Sequence, residues 1–284
     1  MMTPLPPYAG KLERAWHWFY RGFCALVFFF LIAPILVIIP LSFNAEPYFT
    51  FTREMLTFDP DGYSLRWYRD FFTSESWLRS VRNSFVIAIS ATIVATVLGT
   101  VAALGLARSY LPFRAALMGL LISPMIVPLI ISAAGMYFFY SSIGLAQTFV
   151  GVILAHAALG TPFVVITVTA TLIGFDYSLV RAAQSLGATP TYAFFKVIMP
   201  LITPGVISGA LFAFITSFDE VVVVLFLAGV EQRTIPREMW SGIREHISPT
   251  ILAVATILVA ISIALLLTVE LLRRRSARLR GLSS

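Results

Sequence analysis

Long apolar stretches alternate with short polar segments along this sequence, and the pattern predicts membrane-spanning helices. Six stretches are long and apolar enough to cross a bilayer, since about 20 apolar residues in a helix match the hydrocarbon thickness. They fall at about 22–43, 81–107, 115–141, 147–173, 205–228 and 250–272. The chain is therefore predicted to be an all-α, polytopic membrane protein with six transmembrane helices.

The composition agrees with this prediction. The 284 residues are 58% hydrophobic and only 12% charged, whereas soluble domains carry about 25% charged residues. The first apolar stretch follows Lys11, Arg14 and Arg21, as a signal peptide would. It is longer than a signal-peptide core and no small-residue cleavage site follows it, so it is interpreted as a retained helix. A single cysteine, Cys24, cannot form an intrachain disulfide.

The distribution of Lys and Arg predicts the orientation of the chain. Six helices place both termini on one side, and that side holds most of the 20 basic residues, including the C-terminal run RRRSARLR at 273–280. Because basic residues concentrate on the cytoplasmic side, both termini are predicted to be cytoplasmic. The net charge of +6 is explained by this topology and by contact with anionic lipid, so it does not indicate nucleic acid binding.

The predicted spans divide the chain into four parts. Residues 1–21 form a cytoplasmic tail, 22–80 the first helix and an outer loop, 81–272 a core domain with a cytoplasmic loop at 174–204, and 273–284 a basic tail. In the outer loop, YSLRWYRDFF at 63–72 predicts a short interfacial helix whose aromatic side chains anchor at the headgroup level. Two interpretations of this segment stay open: it serves simply as an anchor, or it is a docking surface for an extracytoplasmic partner.

A compact polar segment, RAAQSLGATPTYAFFKVIMP at 181–200, lies between the fourth and fifth spans. Ser178 is predicted to cap a short helix with its hydroxyl, and Gly187 to end it. Pro190 blocks continuation, and a second turn is predicted to stop at Pro200. One helix face carries small or apolar side chains, namely Leu179, Ala182, Ala183 and Leu186. The pattern fits a helix docked in the groove of a partner and equally an amphipathic helix on the membrane.

Adjacent carboxylates, Asp219 and Glu220, fall within the fifth predicted span. At 1.5 Å per residue, Asp219 lies about 21 Å along a helix that begins near Gly205, which is past the midplane. Charges at such depth usually face a cavity or a partner, so both residues are candidates for lining the path of a cation. The alternative is that they pair with an arginine or cap a broken helix end. Since adjacent side chains point about 100° apart, Asp219 is favoured for the path.

Aromatic residues of the third span are a further candidate for the path. Tyr137 is followed by Phe138, Phe139 and Tyr140, and aromatic faces attract cations. Packing against lipid or other helices is the alternative. No catalytic constellation and no metal-ligand spacing is recognised in the sequence, and a GxxxxGK[ST] phosphate loop is absent.

The polar segment resembles the coupling loop of the permease subunits of bacterial binding-protein-dependent ATP-driven (ABC) importers. Ala182, Ala183, Gly187 and Pro200 match that loop in spacing, and Arg181 stands where the family usually has Glu. The resemblance covers about residues 80–270. The segment SFDEVVVVLFLAG at 217–229 resembles the spermidine and putrescine permeases more than those for sugars.

This resemblance implies a MetI-like fold in the bacterial inner membrane and a permease that forms the path for a small cationic solute, such as a polyamine. It implies a second permease subunit, two ATPase subunits that bind ATP and Mg, and a periplasmic substrate-binding protein as partners, with no cofactor and no enzymatic activity on this chain. The coupling residues would be Arg181, Ala182, Ala183, Leu186, Gly187, Phe195 and Pro200. The alternatives are another cargo (an amino acid, an opine-like solute or ferric iron), an ion-coupled transporter, for which no inverted repeats are recognised, and a membrane-bound enzyme.

Overall fold

The computed structural model describes residues 10–107, 111–245 and 248–279, and these residues are mostly helical. Among these described residues, a 3-10 turn, Pro60–Gly62, and a π-helical turn, Phe194–Ile198, accompany thirteen α-helices. The helices are α1 Lys11–Leu41, α2 Arg53–Leu56, α3 Arg66–Thr73, α4 Glu75–Leu106, α5 Arg114–Ile126, α6 Leu129–Ser142, α7 Phe149–Ile173, α8 Ser178–Ser185, α9 Pro190–Ala193, α10 Met199–Phe218, α11 Val222–Leu227, α12 Ile235–Glu245 and α13 Thr250–Leu279.

Four helical stretches of the described residues are long and apolar enough to span a membrane. They are α1, α4, α7 and the continuous stretch Pro190–Phe218, and the bent pair α5–α6 makes a fifth if it is one span. The sixth predicted span corresponds to α13, whose described apolar part is Thr250–Ala264. The all-helical class is thus confirmed with four or five candidate spans.

The third predicted span was wrong as a single helix. α5 ends at Ile126, α6 begins at Leu129, and the two axes differ in direction by 101°. Val127 between them is extended, with φ −67° and ψ 134°, because a residue before proline is pushed away from helical angles. Pro128 then begins the next helix as its N-cap residue.

The first and fifth spans also differ from their predicted bounds. α1 begins at Lys11 and continues through Pro34 and Pro40 to Leu41. The fifth span begins before Gly205 and its helix ends at Phe218, with α11 as a separate short helix after it. The fourth span is confirmed closely, because α7 covers Phe149–Ile173.

The described residues form two compact units, one built from residues up to Thr73 and from Gly242 onward, the other from Ser74–Ser241. In the second unit, α4, α7 and α10 pack against one another through small residues. A Cβ added at Gly160 would lie 2.9 Å from the Cβ of Ala213, and one at Gly99 would lie 2.6 Å from the Cβ of Val164. Small residues let helices approach closely, so they define this interface.

In the first unit, α3 packs against α13, and the hydroxyl of Thr250 donates a 2.7 Å hydrogen bond to Asp70. The predicted headgroup anchoring of the α3 aromatics was wrong for Trp67 and Phe71, which are buried. The indole of Trp67 donates to the carbonyl of Asn44 at 2.7 Å. Indole N–H groups find a partner when buried, and this one fixes α3 against the loop after α1.

Candidate functional site

The segment after α7 begins with a capped helix, although the cap differs from the predicted one. Asp176 accepts hydrogen bonds from the backbone N–H of Ser178 at 2.8 Å and from the Ser178 hydroxyl at 2.6 Å. Ser178 is therefore the first helical residue, and its hydroxyl is engaged by the carboxylate. The two hydrogen bonds, with a smaller contribution from the charge of Arg181, lower the pKa of Asp176, so this cap is ionised at neutral pH.

The end of α8 confirms the prediction at Gly187. This residue has φ +87°, a left-handed conformation that glycine adopts without steric cost. The N–H of Gly187 donates to the carbonyl of Gln184 at 2.9 Å, and the N–H of Ala188 donates to Ala183 at 3.0 Å. This pair of bonds is the Schellman arrangement, which satisfies carbonyls left over at a helix end.

The second helical stretch begins at Pro190 and does not stop at Pro200, which corrects the prediction for that proline. Thr189 caps the stretch by accepting from the N–H of Tyr192 at 3.3 Å. Pro190 lacks a backbone N–H, but at the first helical position this group would have no partner within the helix, so no hydrogen bond is lost. Before Pro200 the backbone widens into the π-helical turn Phe194–Ile198, and a wider turn relieves the clash that a proline ring makes with the preceding turn.

The two stretches together, residues 176–200, are called the coupling segment below. Leu186 is 90% exposed and Phe195 59% exposed. The rings of Phe194 and Phe195 meet edge-on with centroids 4.9 Å apart. Of the other predicted coupling residues, the exposed ones are Arg181, Ala182, Gly187 and Pro200, and Ala183 is half-buried. The arrangement presents an apolar, small-residue surface on a backbone fixed by caps at both ends of α8.

The predicted acidic pair lies in a break between helices instead of inside one. Asp219 is the residue after α10 and is exposed, whereas Glu220 is 8% exposed. Oε1 of Glu220 accepts a hydrogen bond from the N–H of Val223 at 2.9 Å. Glu220 therefore caps the first turn of α11, which was the structural alternative for it. Within the described residues the carboxylate of Asp219 makes no hydrogen bond or ion pair.

The other end of α11 is held by Arg237, which lies between the fifth and sixth predicted spans. Its Nη1 donates to the carbonyls of Ala228 at 2.6 Å and Gly229 at 3.0 Å, with a longer 3.3 Å bond to Val224. A cation at a helix C-terminus meets the negative end of the dipole. Burial, and to a lesser degree the charge of Arg233, lower the pKa of Arg237, but a guanidinium remains charged.

The loop after α11 is fastened to the start of α4. The amide of Asn83 donates to the carbonyls of Glu231 at 2.8 Å and Arg233 at 2.9 Å. The hydroxyl of Ser84 accepts from the N–H of Ile235 at 2.8 Å. Polar side chains at the end of an apolar helix were the signal for these contacts, but nothing in the sequence named their partners.

A buried polar pair joins α7 to α10. Nδ1 of His156 lies 2.8 Å from Oγ of Ser217, and both residues are buried. Nε2 of His156 has no hydrogen-bond partner among the described residues. One indication of this pair was visible in the sequence, because a histidine within an apolar span marks a polar contact. Ser217 precedes the helix break by two residues, so this pair fixes the end of α10.

Tyr137 lies on α6 and is 36% exposed, with its ring edge-on to Phe138 at a centroid distance of 5.7 Å. Among the described residues, no hydrogen bond joins its hydroxyl to Asp219 or Glu220. α6 packs instead on α11 through Ala133, Met136 and Tyr140. The structure therefore does not bring Tyr137 into polar contact with the acidic pair.

Fold and site together define a helical membrane protein. An exposed segment with capped helix ends lies between the fourth and fifth spans, and a break whose helix ends are also capped follows the fifth span. The family model described as the inner membrane component of binding-protein-dependent transport systems matches residues 95–278. The chain belongs to this family, as the resemblance predicted. It is a membrane-embedded permease, a transport subunit.

Several curated relatives cover most of the chain. The spermidine/putrescine transport system permease protein PotC of Haemophilus influenzae is 31% identical over 256 residues, which are 90% of this chain and 96% of the relative. PotC of Escherichia coli strain K12 is 29% identical and covers 93% of this chain, with 95% of its own length matched. The putrescine transport system permease protein PotI of the same strain is 31% identical, with 82% of this chain and 83% of the relative matched.

Two solved structures share the fold. One is a bacterial ABC transporter involved in the import of the acidic polysaccharide alginate, with a TM-score of 0.72 at 15% identity, covering 95% of this chain and 99% of that chain. The other is the bacterial alginate transporter in complex with an alginate-pentasaccharide-bound periplasmic protein, with a TM-score of 0.68 at 16% identity, covering 93% and 96%. At this identity the likeness concerns the fold.

Proposed function

We propose that the chain is the permease subunit of an ATP-driven polyamine importer of the bacterial inner membrane, with spermidine or putrescine as cargo. The observation that carries the proposal is the similarity to spermidine/putrescine permeases along nearly the whole length of both chains. A polyamine is a multiply charged cation, so its path must replace bound water with carboxylates or aromatic faces.

The proposed topology has six spans, with α5–α6 counted as one broken span and α13 as the sixth. Both termini and the coupling segment then lie in the cytoplasm, since the positive-inside rule favours that side for the basic C-terminal run. The partners are a second permease subunit, two ATPase subunits and a periplasmic substrate-binding protein. The complex of a structural neighbour with its periplasmic protein supports the last of these.

The coupling segment is the surface that we expect to enter a cleft of the ATPase subunit. Its exposed Leu186 and Phe195 supply apolar contact area, and the hydrogen-bonded ends of α8 remove flexibility that binding would otherwise have to restrict. ATP and Mg bind to the partner, and closure of the ATPase pair moves this segment. The continuous helix Pro190–Phe218 then transmits the movement to the break at Asp219.

Asp219 is the residue of the acidic pair that we expect to meet the cargo, because Glu220 is already engaged by the N–H of Val223. Asp219→Asn is expected to lower the apparent affinity for spermidine at least about tenfold, since a charge-assisted hydrogen bond is lost. Concentration-dependent uptake into proteoliposomes measures the effect. Glu220→Gln is the matched control, because its amide oxygen can still cap α11. Equal affinity in wild type and Asp219→Asn would remove Asp219 from the path.

The function itself is tested by uptake of labelled spermidine into proteoliposomes that contain the chain with its second permease and ATPase partners. We expect uptake that requires ATP and the substrate-binding protein and that excess putrescine reduces. An amino acid, an opine or ferric iron at the same excess should leave the uptake unchanged. Uptake that proceeds without ATP, driven by an ion gradient, would contradict the proposal.

A further inference from the structure

The loop between α1 and α3 is a folded element with a protruding tip. The backbone N–H of Ala45 donates to the carbonyl of Gly62 at 3.0 Å, and the N–H of Ser64 donates to Phe43 at 2.7 Å. The side chain of Asn44 is fully buried and donates to two carbonyls of the loop. These bonds close the base of the loop, and residues 54–61, here called the tip segment, project from it.

The tip segment has a fixed backbone. Its helical turn, α2, is capped by the hydroxyl of Thr52, and Tyr63 donates from its hydroxyl to the carbonyl of Met55 at 3.1 Å. The side chain of Asp59 accepts from the N–H of Asp61 at 3.1 Å. Gly62 packs so closely against α2 that a Cβ added to this glycine would be 2.8 Å from the backbone nitrogen of Met55. The position of the tip is therefore determined before any partner binds.

Phe58 at this tip is both strained and exposed. Its φ of +56° is a left-handed conformation, which costs a residue other than glycine about 1–2 kcal/mol. Its side chain is 83% exposed, and that of the neighbouring Leu56 is 67% exposed. Backbone strain of this kind clusters at ligand clamps and binding sites.

The charge around Phe58 indicates the kind of surface that covers it. The tip segment contains Glu54, Asp59 and Asp61, and Arg53 at the start of α2 is the basic residue next to it. All three acidic residues are exposed, and none forms an ion pair within the part of the chain that the structure describes. Membrane anchors instead place Trp or Tyr beside Lys and Arg at the headgroups. Three carboxylates close to Phe58 in the sequence disfavour an anionic lipid surface and favour a protein surface with basic residues.

We propose that the tip segment is the docking knob for the extracytoplasmic substrate-binding protein, with Phe58 entering an apolar pocket and the three carboxylates facing a basic rim. The inference rests on the proposed function, which places this loop outside the membrane and supplies that partner. A rigid aromatic anchor at the centre of a charged rim is the arrangement of a binding hot spot.

The test measures binding of the cognate substrate-binding protein to the assembled transporter in nanodiscs. Phe58→Asn removes the ring but keeps the turn, because asparagine tolerates the left-handed conformation. The Kd is expected to rise at least about tenfold, while Phe58→Tyr binds like wild type. ATP hydrolysis in the absence of the binding protein should be the same in all variants.

Phe113 provides a matched control within the chain. It has φ +55° and is also 83% exposed, but the proposed topology places it on the cytoplasmic side. Phe113→Asn should leave the Kd unchanged. If Phe58→Asn binds as tightly as wild type, the proposal that the tip segment is a docking knob is wrong, although the proposed importer function stands. If the wild-type transporter binds no substrate-binding protein at all, the proposed function fails together with the knob.

The charged rim is tested separately by the association rate. Asp61→Lys alters an exposed carboxylate whose side chain does not support the turn. The association rate constant is expected to fall several-fold at low salt, and the difference should shrink as salt is added. An unchanged or faster association would contradict the basic rim of the partner.

Discussion

Gly187→Val is expected to lower ATP-driven uptake at least about tenfold while the amount of chain in the membrane stays at the wild-type level. A branched side chain is strained at φ +87°, and an added Cβ would meet nothing within 4 Å, so the cost falls on the backbone alone. The Schellman bonds at the end of α8 are lost, and Leu186 leaves its fixed position. Docking on the ATPase weakens, whereas the packing of the spans is untouched.

The measurement is the ratio of substrate imported to ATP hydrolysed in proteoliposomes, because a coupling defect lowers that ratio and a folding defect lowers both quantities. Gly187→Asn is the matched control, since asparagine tolerates the left-handed region and should retain most of the uptake. Wild-type coupling in Gly187→Val would show that the coupling segment does not transmit the energy of ATP hydrolysis.

The coupling segment illustrates what local sequence signals can predict. Gly187 was identified as the end of α8 because few other residues end a helix in this way. The cap at the other end was misassigned, since Asp176 and Ser178 are both good capping residues and only the fold selects between them. Pro200 was taken for a stop because a proline usually ends a helix, and the π-helical turn that accommodates it has no sequence signature.

The helix breaks could not be predicted from hydropathy. Membrane helices tolerate proline when neighbouring groups satisfy the freed carbonyls, so Pro128 alone did not separate α5 from α6. α11 is an apolar run that continues the apolarity of α10, and a hydropathy window merges the two. Glu220 and Arg237 stabilise the break, because their side chains satisfy the two ends of α11.

Long-range partners were the part of the site that the sequence left undetermined. His156 and Ser217 are 61 residues apart, and Asn83 contacts a carbonyl 148 residues away. Each of these residues is recognisable as a polar group in or beside an apolar span. Which of them meet depends on the crossing of α4, α7 and α10, and that crossing depends on the distribution of small residues.

Gly209→Leu is expected to destabilise the permease more than any surface substitution, because Gly209 allows α10 to contact α7 directly. A Cβ at this position would be 2.5 Å from Oγ1 of Thr167 and 2.7 Å from the Cα of Val164. A backbone atom cannot rotate away, so the two helices must separate. Overpacking of this kind costs about 1–3 kcal/mol or more, and the apparent Tm in detergent should fall by about 5–10 °C.

The same substitution at Gly135 gives the opposite expectation and serves as the control. Gly135 lies within α6, and an added Cβ meets nothing within 4 Å. Leucine has a higher helix propensity than glycine by about 1 kcal/mol, so Gly135→Leu should keep or raise the Tm. If Gly209→Leu and Gly135→Leu lower the Tm equally, the loss is a general effect of replacing a membrane glycine by leucine, and the contact between α7 and α10 is not its cause. If only Gly209→Leu does, the close approach of α7 and α10 is what holds the unit together and keeps His156 against Ser217.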